Sequence, residues 1–195
     1  VSDTVKTLSN GTNIIPFGMQ QLDYPAGGMT RKEVTVIGGR PGHGKTTLAI
    51  NIVRSLIAQG YKVMMFNREM SNEEMMKKMM VMESKSLKYG KIRKNDLDDD
   101  DKKEISKVAE LINDKYKNLM MYDNVRSLSE SMVEVSKYKP DIIIDDYIQL
   151  IQVNDIKERR FQIEKIMQEY KWISKKENCS SILISQLNRE IERRM

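Results

Sequence analysis

The densest chemistry in this sequence lies in ten consecutive residues, Gly38-Gly39-Arg40-Pro41-Gly42-His43-Gly44-Lys45-Thr46-Thr47. An apolar run at 34–37 precedes them, and Leu48, Ile50, Ile52, Val53 and Leu56 follow at helical spacing. The pattern is G-x-x-x-x-G-K-[ST] in the strand-loop-helix setting that it requires. Glycines let the backbone curl until successive N–H groups converge on phosphate oxygens, and the following helix adds the positive end of its dipole. Gly39, Arg40, Pro41, Gly42, His43, Gly44, Lys45, Thr46 and Thr47 are therefore expected to wrap the phosphates of a nucleotide. Lys45 would reach the β and γ phosphates as a mobile point charge, and the Thr46 hydroxyl would ligate Mg²⁺. His43, the single histidine, is expected to be a loop position more than a catalytic base, because the motif asks only for backbone donors there. Arg40 either leans on a phosphate or ribose or is solvated.

A phosphate loop of this kind needs an acid for magnesium at the carboxyl end of a neighbouring strand. The segment Asp141-Ile142-Ile143-Ile144-Asp145-Asp146 offers two. Side chains of adjacent strand residues point to opposite faces, so Asp145 and Asp146 cannot both face the loop as equals. Glu69, which follows the apolar run at 62–66, is a candidate base for aligning and deprotonating water.

These residues need a scaffold that brings strand ends together. Short apolar runs rich in β-branched residues recur at 34–37, 62–66, 119–122, 142–144 and 181–184, with longer stretches of helical spacing between them. That alternation predicts an α/β fold, a mostly parallel sheet with helices on both faces. A helix is expected from Ser71, with Glu74 completing a capping box and Met75, Met76, Met79, Met80 and Met82 serving as core filler. Residues 85–95 carry five basic groups and no acid, whereas 96–104 carry six acids and two lysines. A solvated loop leading into an acidic first helical turn is the expected form.

With 195 residues, 39% hydrophobic and 31% charged, the chain has material for about one domain. No apolar run approaches the ~20 residues of a spanning helix and no signal peptide is visible, so a cytoplasmic protein without membrane contact is expected. One cysteine, Cys179, excludes an internal disulfide, and one histidine argues against zinc. The net charge is +5, and residues 156–195 account for +4 of it, a placement compatible with contact to nucleic acid. The sequence starts at Val1 and stops at Met195 after a charged, helix-like stretch, which suggests a fragment of something longer.

In their order along the chain the motifs resemble those of the hexameric replicative DNA helicases of the bacterial DnaB type, within the RecA-like ATPases. The resemblance is carried by 18–28 (GMQQLDYPAGG), 38–47 (GGRPGHGKTT), 66–71 (FNREMS), 146–150 (DYIQL) and 185–189 (SQLNR). The last two are the most specific to that branch. It implies a RecA-like P-loop core at 14–195, cut short at its C-terminal end and preceded by a linker or N-terminal extension at 1–13, that uses ATP and Mg²⁺. Lys45 would be the phosphate clamp, Thr46 a magnesium ligand, Glu69 the catalytic glutamate, Asp146 the Walker B acid and Gln186 the γ-phosphate sensor. A neutral amide suits that last role, since it can bond the terminal phosphate and move when the phosphate leaves.

The resemblance further implies single-stranded DNA as a partner, further copies of the chain in a six-membered ring, and primase and a helicase loader through regions outside this sequence. Residues 152–160 (QVNDIKERR) match a family loop that faces the central channel, where Lys157, Arg159 and Arg160 would grip phosphates. A basic loop opening a helix is as often merely solvated. The family's second DNA-binding loop and arginine finger would lie beyond Met195. Three residues depart from the pattern. Arg68 and Asp145 stand where apolar residues are usual, and His43 is unusual in its loop. Asp145 leaves open a reading in which it ligates magnesium, although the register of Tyr147-Ile148-Gln149-Leu150 favours Asp146. Two other functions share the phosphate loop: a recombinase-like or loader-like ATPase that binds DNA in a nucleotide-gated way without unwinding, and a small-molecule kinase, for which no lid or acceptor pocket is visible.

Overall fold

The structure is a computed structural model, and it describes residues 14–187. The extension at 1–13 and the end of the chain at 188–195, including Asn188 and Arg189 of the last motif, lie outside the described residues.

Five strands, β3 (Val34–Gly39), β4 (Val63–Asn67), β5 (Leu119–Tyr122), β6 (Ile142–Asp146) and β7 (Ser180–Gln186), form one parallel sheet in the order β3-β7-β6-β4-β5. All five contain the apolar runs recognised in the sequence. Because the strands are parallel, their carboxyl ends share one edge. The phosphate-loop motif, Glu69, Asp146 and Gln186 all lie at that edge or just past it.

Period-2 alternation divides the strands between two cores. Val63, Met65, Ile142, Ile144, Ile182 and Ile184 point to one face. There they meet α2 (Lys45–Ala58), α3 (Asn72–Glu83) and α5 (Asp99–Lys115). Met64, Phe66, Ile143 and Leu183 point to the other, against α6 (Leu128–Tyr138) and α7 (Arg159–Lys176). Helix α2 buries Ala49, Ile50, Ile52, Val53, Leu56 and Ile57. At ~1.5–3 kcal/mol for each large aliphatic side chain, that stripe anchors the helix whose first turn carries Lys45 and Thr46.

Helix α3 starts at the expected cap, with the Glu74 N–H donating to the Ser71 hydroxyl at 3.2 Å. Met75 and Met79 are buried, and Met76, Met80 and Met82 pack against the same core, so the methionine face fills the interior. Helix α5 opens with a full capping box between Asp98 and Asp101 and three acids in its first turn, as its dipole favours.

One local expectation is corrected. Within 85–95 the chain forms a short helix, α4 (Tyr89–Lys94), where a loop was expected; it has no buried residue of its own, and the preceding Leu87, 5% exposed, anchors the segment. Ahead of the sheet, β1 (Ile14–Ile15) pairs antiparallel with β2 (Met29–Thr30) around α1 (Gln20–Ala26). Strands of two residues are too short to leave an alternation signal. They are held because Ile15, Phe17 and Met29 tuck into the first core.

Candidate nucleotide site

The loop between β3 and α2 curls through two glycines with φ of +76°, Gly42 and Gly44, a region that costs a Cβ-bearing residue ~1–2 kcal/mol. Gly44 is the N-cap of α2 and offers no side-chain cap, so the first-turn N–H groups stay available to an anion. Lys45 lies back across the loop, its Nζ donating to the Arg40 carbonyl at 2.9 Å. Arg40 and His43 are exposed in the loop, and the His43 N–H donates to the Arg40 carbonyl at 3.3 Å.

Pro41, Gly42, Gly44, Lys45, Thr46 and Thr47 form one wall of a cleft of about 420 Å³. Glu69, Met70, Lys78, Tyr147 and Gln186 complete it. Residues from four strand ends and two helices thus converge on one space. Gly39 ends β3, opposite Gln186 in the β3–β7 register.

Beneath the loop, the Thr46 hydroxyl donates to Asp146 Oδ2 at 2.7 Å. Asp146 is 5% exposed, and among the described residues its buried Oδ1 has no hydrogen-bond partner. Burial pushes the Asp146 carboxyl above its ordinary value; the Thr46 hydrogen bond opposes this, Glu69 and Asp145 add to it, and Lys45 opposes it. A hydroxyl and a carboxylate with a spare oxygen are hard oxygen donors of the kind Mg²⁺ takes, and burial strengthens the carboxylate's demand for a cation. Among the described residues no group of three or more His, Cys, Asp or Glu could hold a metal. Mg²⁺ fits such a sparse set, since it commonly takes one or two protein groups and fills the rest of its shell with water and phosphate.

Asp145 is turned away from the cleft. It follows Ile143 onto the opposite face, as the alternation requires, and pairs there with Arg68 at 2.6 Å.

Gln186 is held by its own neighbour. The Gln149 side chain accepts from the Gln186 N–H at 3.1 Å. It donates to the Gln186 carbonyl at 3.1 Å and to the Ser185 hydroxyl at 2.8 Å. The motifs DYIQL and SQLNR, read separately in the sequence, therefore touch. Lys78 also lines the cleft, and nothing local in the sequence marks it, since the pattern of its helix is carried by the methionines.

Lys157, Arg159 and Arg160 stand apart from the cleft, exposed at the start of α7. Arg159 donates to Gln162 at 2.6 Å. The first turn of α7 contains no acid, so its two arginines oppose the helix dipole. Among the described residues no helix is long and apolar enough to cross a membrane.

Residues 15–195 match the family model of the DnaB-like helicase C terminal domain. The replicative DNA helicase DnaB of Buchnera aphidicola subsp. Baizongia pistaciae is 33% identical over 94% of this chain, and that of Helicobacter pylori strain J99 is 31% identical over 92%. The chain spans 41% and 38% of those proteins' lengths. The fold is shared with a solved DnaB-like replicative helicase, studied with its interactions with primase, at a TM-score of 0.82 and 24% identity over all of this chain and 50% of that one. A second solved structure, an ATPase domain, gives a TM-score of 0.79 at 23% identity, over 98% of this chain and 72% of that one. With the family model covering nearly its whole length, this chain belongs to the family of the DnaB-like helicase C-terminal domain.

Proposed function

We propose that this chain is the ATP-hydrolysing motor domain of a replicative DNA helicase, acting at subunit interfaces of a ring that moves along single-stranded DNA and separates the duplex. The observation that carries the nucleotide chemistry is the Thr46–Asp146 contact with its spare buried oxygen, at the floor of a cleft shared by the phosphate loop, Glu69 and Gln186.

Thr46 and Asp146 would hold Mg²⁺, which when bound neutralises charge on the β and γ phosphate oxygens. Lys45 leaves the Arg40 carbonyl to meet the same phosphates. Glu69, exposed at the cleft wall, orients a water and takes its proton. Gln186, held through Gln149, presents a neutral amide to the terminal phosphate. Lys78 adds a second cation from α3, a role that the cleft's composition supports. The two arginines opposing the dipole at the start of α7, with Lys157 beside them, present positive charge that suits a phosphate backbone. The family relationship supports the larger assembly: six subunits, an arginine supplied by the neighbour, partnership with primase and a loader, and a cytoplasmic setting beside the chromosome.

The deciding measurement is ATP turnover by the intact protein that carries this chain, with and without single-stranded DNA, together with unwinding of a forked duplex. DNA-stimulated hydrolysis and unwinding, both lost in Lys45→Ala, are expected. Hydrolysis indifferent to DNA, with no unwinding, would assign the site to a kinase-like or assembly-switching relative.

A further inference from the structure

Arg68 and Asp145 each stand next to a residue of the proposed nucleotide site, Glu69 and Asp146, and in the structure the two meet. Arg68 Nε donates to Asp145 Oδ1 at 2.9 Å and Nη2 to Oδ2 at 2.6 Å, a bidentate bridge whose side chains are 1% and 0% exposed. The rest of the fork is also used: Nη1 donates to the Val125 carbonyl at 2.7 Å and Nη2 to the Ser131 hydroxyl at 2.9 Å. Tyr170 donates its hydroxyl to Asp145, and the guanidinium lies 4.9 Å from the centre of the Phe66 ring.

Stability alone does not explain such a bridge. Desolvating two charges costs about as much as their attraction returns, and apolar pairs of similar volume commonly do as well or better. Geometry separates the two options. An apolar pair would fill the space without fixing orientation, whereas a bidentate bridge sets both distance and orientation.

What it fixes is visible in the backbone. Strands β4 and β6 pair Phe66 with Asp145 and Asn67 with Asp146, and the Arg68 N–H continues the ladder to the Asp146 carbonyl at 2.8 Å. Glu69 is the next residue, and its side chain has left the sheet for the cleft. Arg68 is thus clamped through its backbone to Asp146 and through its side chain to Asp145, so the last fixed point before Glu69 is this bridge. Burial disfavours the Arg68 charge, but hydrogen bonding and Coulombic attraction to Asp145 and Tyr170 outweigh it and keep the guanidinium firmly protonated.

We infer that Arg68 and Asp145 are a positioning pair for the hydrolytic site: the bridge on the far face of the sheet sets where Glu69 stands on the near face. The inference rests on the ATPase reading proposed above. It predicts that the bridge governs kcat and leaves nucleotide affinity alone, because the phosphate loop is built from β3 and α2, which the bridge does not touch.

The test compares wild type, Arg68→Met, Asp145→Leu and the double variant in the intact protein, reading Tm, the KM for ATP and kcat. The double variant, which leaves no buried charge unpaired, is expected to melt near wild type with KM unchanged and kcat reduced by about 10²-fold, the cost of a misplacement on the order of 1 Å. A double variant with wild-type kcat overturns the inference, and so does recovery of kcat in step with Tm, which would mark the bridge as merely structural. If the double variant does not fold, Arg68→Lys decides. It keeps the charge but has a single ammonium in place of the fork, so kcat should fall at constant KM, and a wild-type rate overturns the inference. Failure of the ATPase reading itself looks different: Lys45→Ala would then match wild type in every assay.

Discussion

Asp145 and Asp146 are neighbours on β6, both buried, yet they face opposite electrostatic settings. Asp145 receives two bonds from Arg68 and one from Tyr170, which leaves it a closed network. Asp146 receives one from Thr46 and, among the described residues, keeps an oxygen without a partner. The same contrast holds one strand over, between Arg68 with every nitrogen engaged and Glu69 exposed at the cleft wall. Buried polar groups are nearly always satisfied, so the incomplete side is the one where the proposed cation would complete the bonding, and the completed side is the proposed support.

Removing the proposed catalytic group on the open face should give the largest effect. Glu69→Gln is expected to keep ATP binding and Tm while steady-state turnover falls by about 10²–10⁴-fold; a normal rate would end the assignment of Glu69. On the closed face the damage should appear as lost stability. Arg68→Ala strands the Asp145 carboxylate without its cation, at a cost of ~3–5 kcal/mol, measurable as a shift in the denaturant midpoint. Tyr170→Phe removes one bond to that carboxylate and should cost about 1.5–3 kcal/mol; no change in Tyr170→Phe would show that the network tolerates an open position and would weaken the contrast with Asp146.

An exposed ion pair supplies the reference point. Asp98 lies beside Lys91 at 2.9 Å with its side chain 61% exposed. The Lys91 hydrogen bond, followed by the Asp101 backbone N–H, lowers its pKa from 3.8 to about 2. A carboxylate depressed in the folded state stabilises fully above its unfolded pKa and loses that contribution as pH falls towards the folded one. Wild type should therefore melt slightly above Asp98→Asn at pH 7, because Asn keeps the cap and loses the ion pair, and the gap should close between about pH 4 and pH 2. A gap that persisted at the acid end would mean that the pair is not its source.

Much of the site was legible because its signals are local. The loop from Gly38 to Thr47 carries its own chemistry in its spacing, and strands β3 to β7 announce themselves by short apolar runs. The methionines of α3 were read as core, and Met75 and Met79 are core. Other features left no local trace. The β1–β2 pair is too short for a period, α4 is anchored from outside itself, and Lys78 faces the cleft only because of how α3 packs. Arg68 and Asp145 were visible as two separate oddities 77 positions apart, and nothing in either flank says that one answers the other.

By itself, then, the sequence determined the glycine-rich loop proposed to meet phosphate, the alternation that separates Asp145 from Asp146, and the parallel α/β class, since all three depend on residues within a few positions of one another. Only the tertiary structure decided which aspartate meets Thr46, that Gln149 clamps Gln186, and that Arg68 closes on Asp145. Those contacts depend on strand order and register, and register is fixed by packing two cores against one sheet.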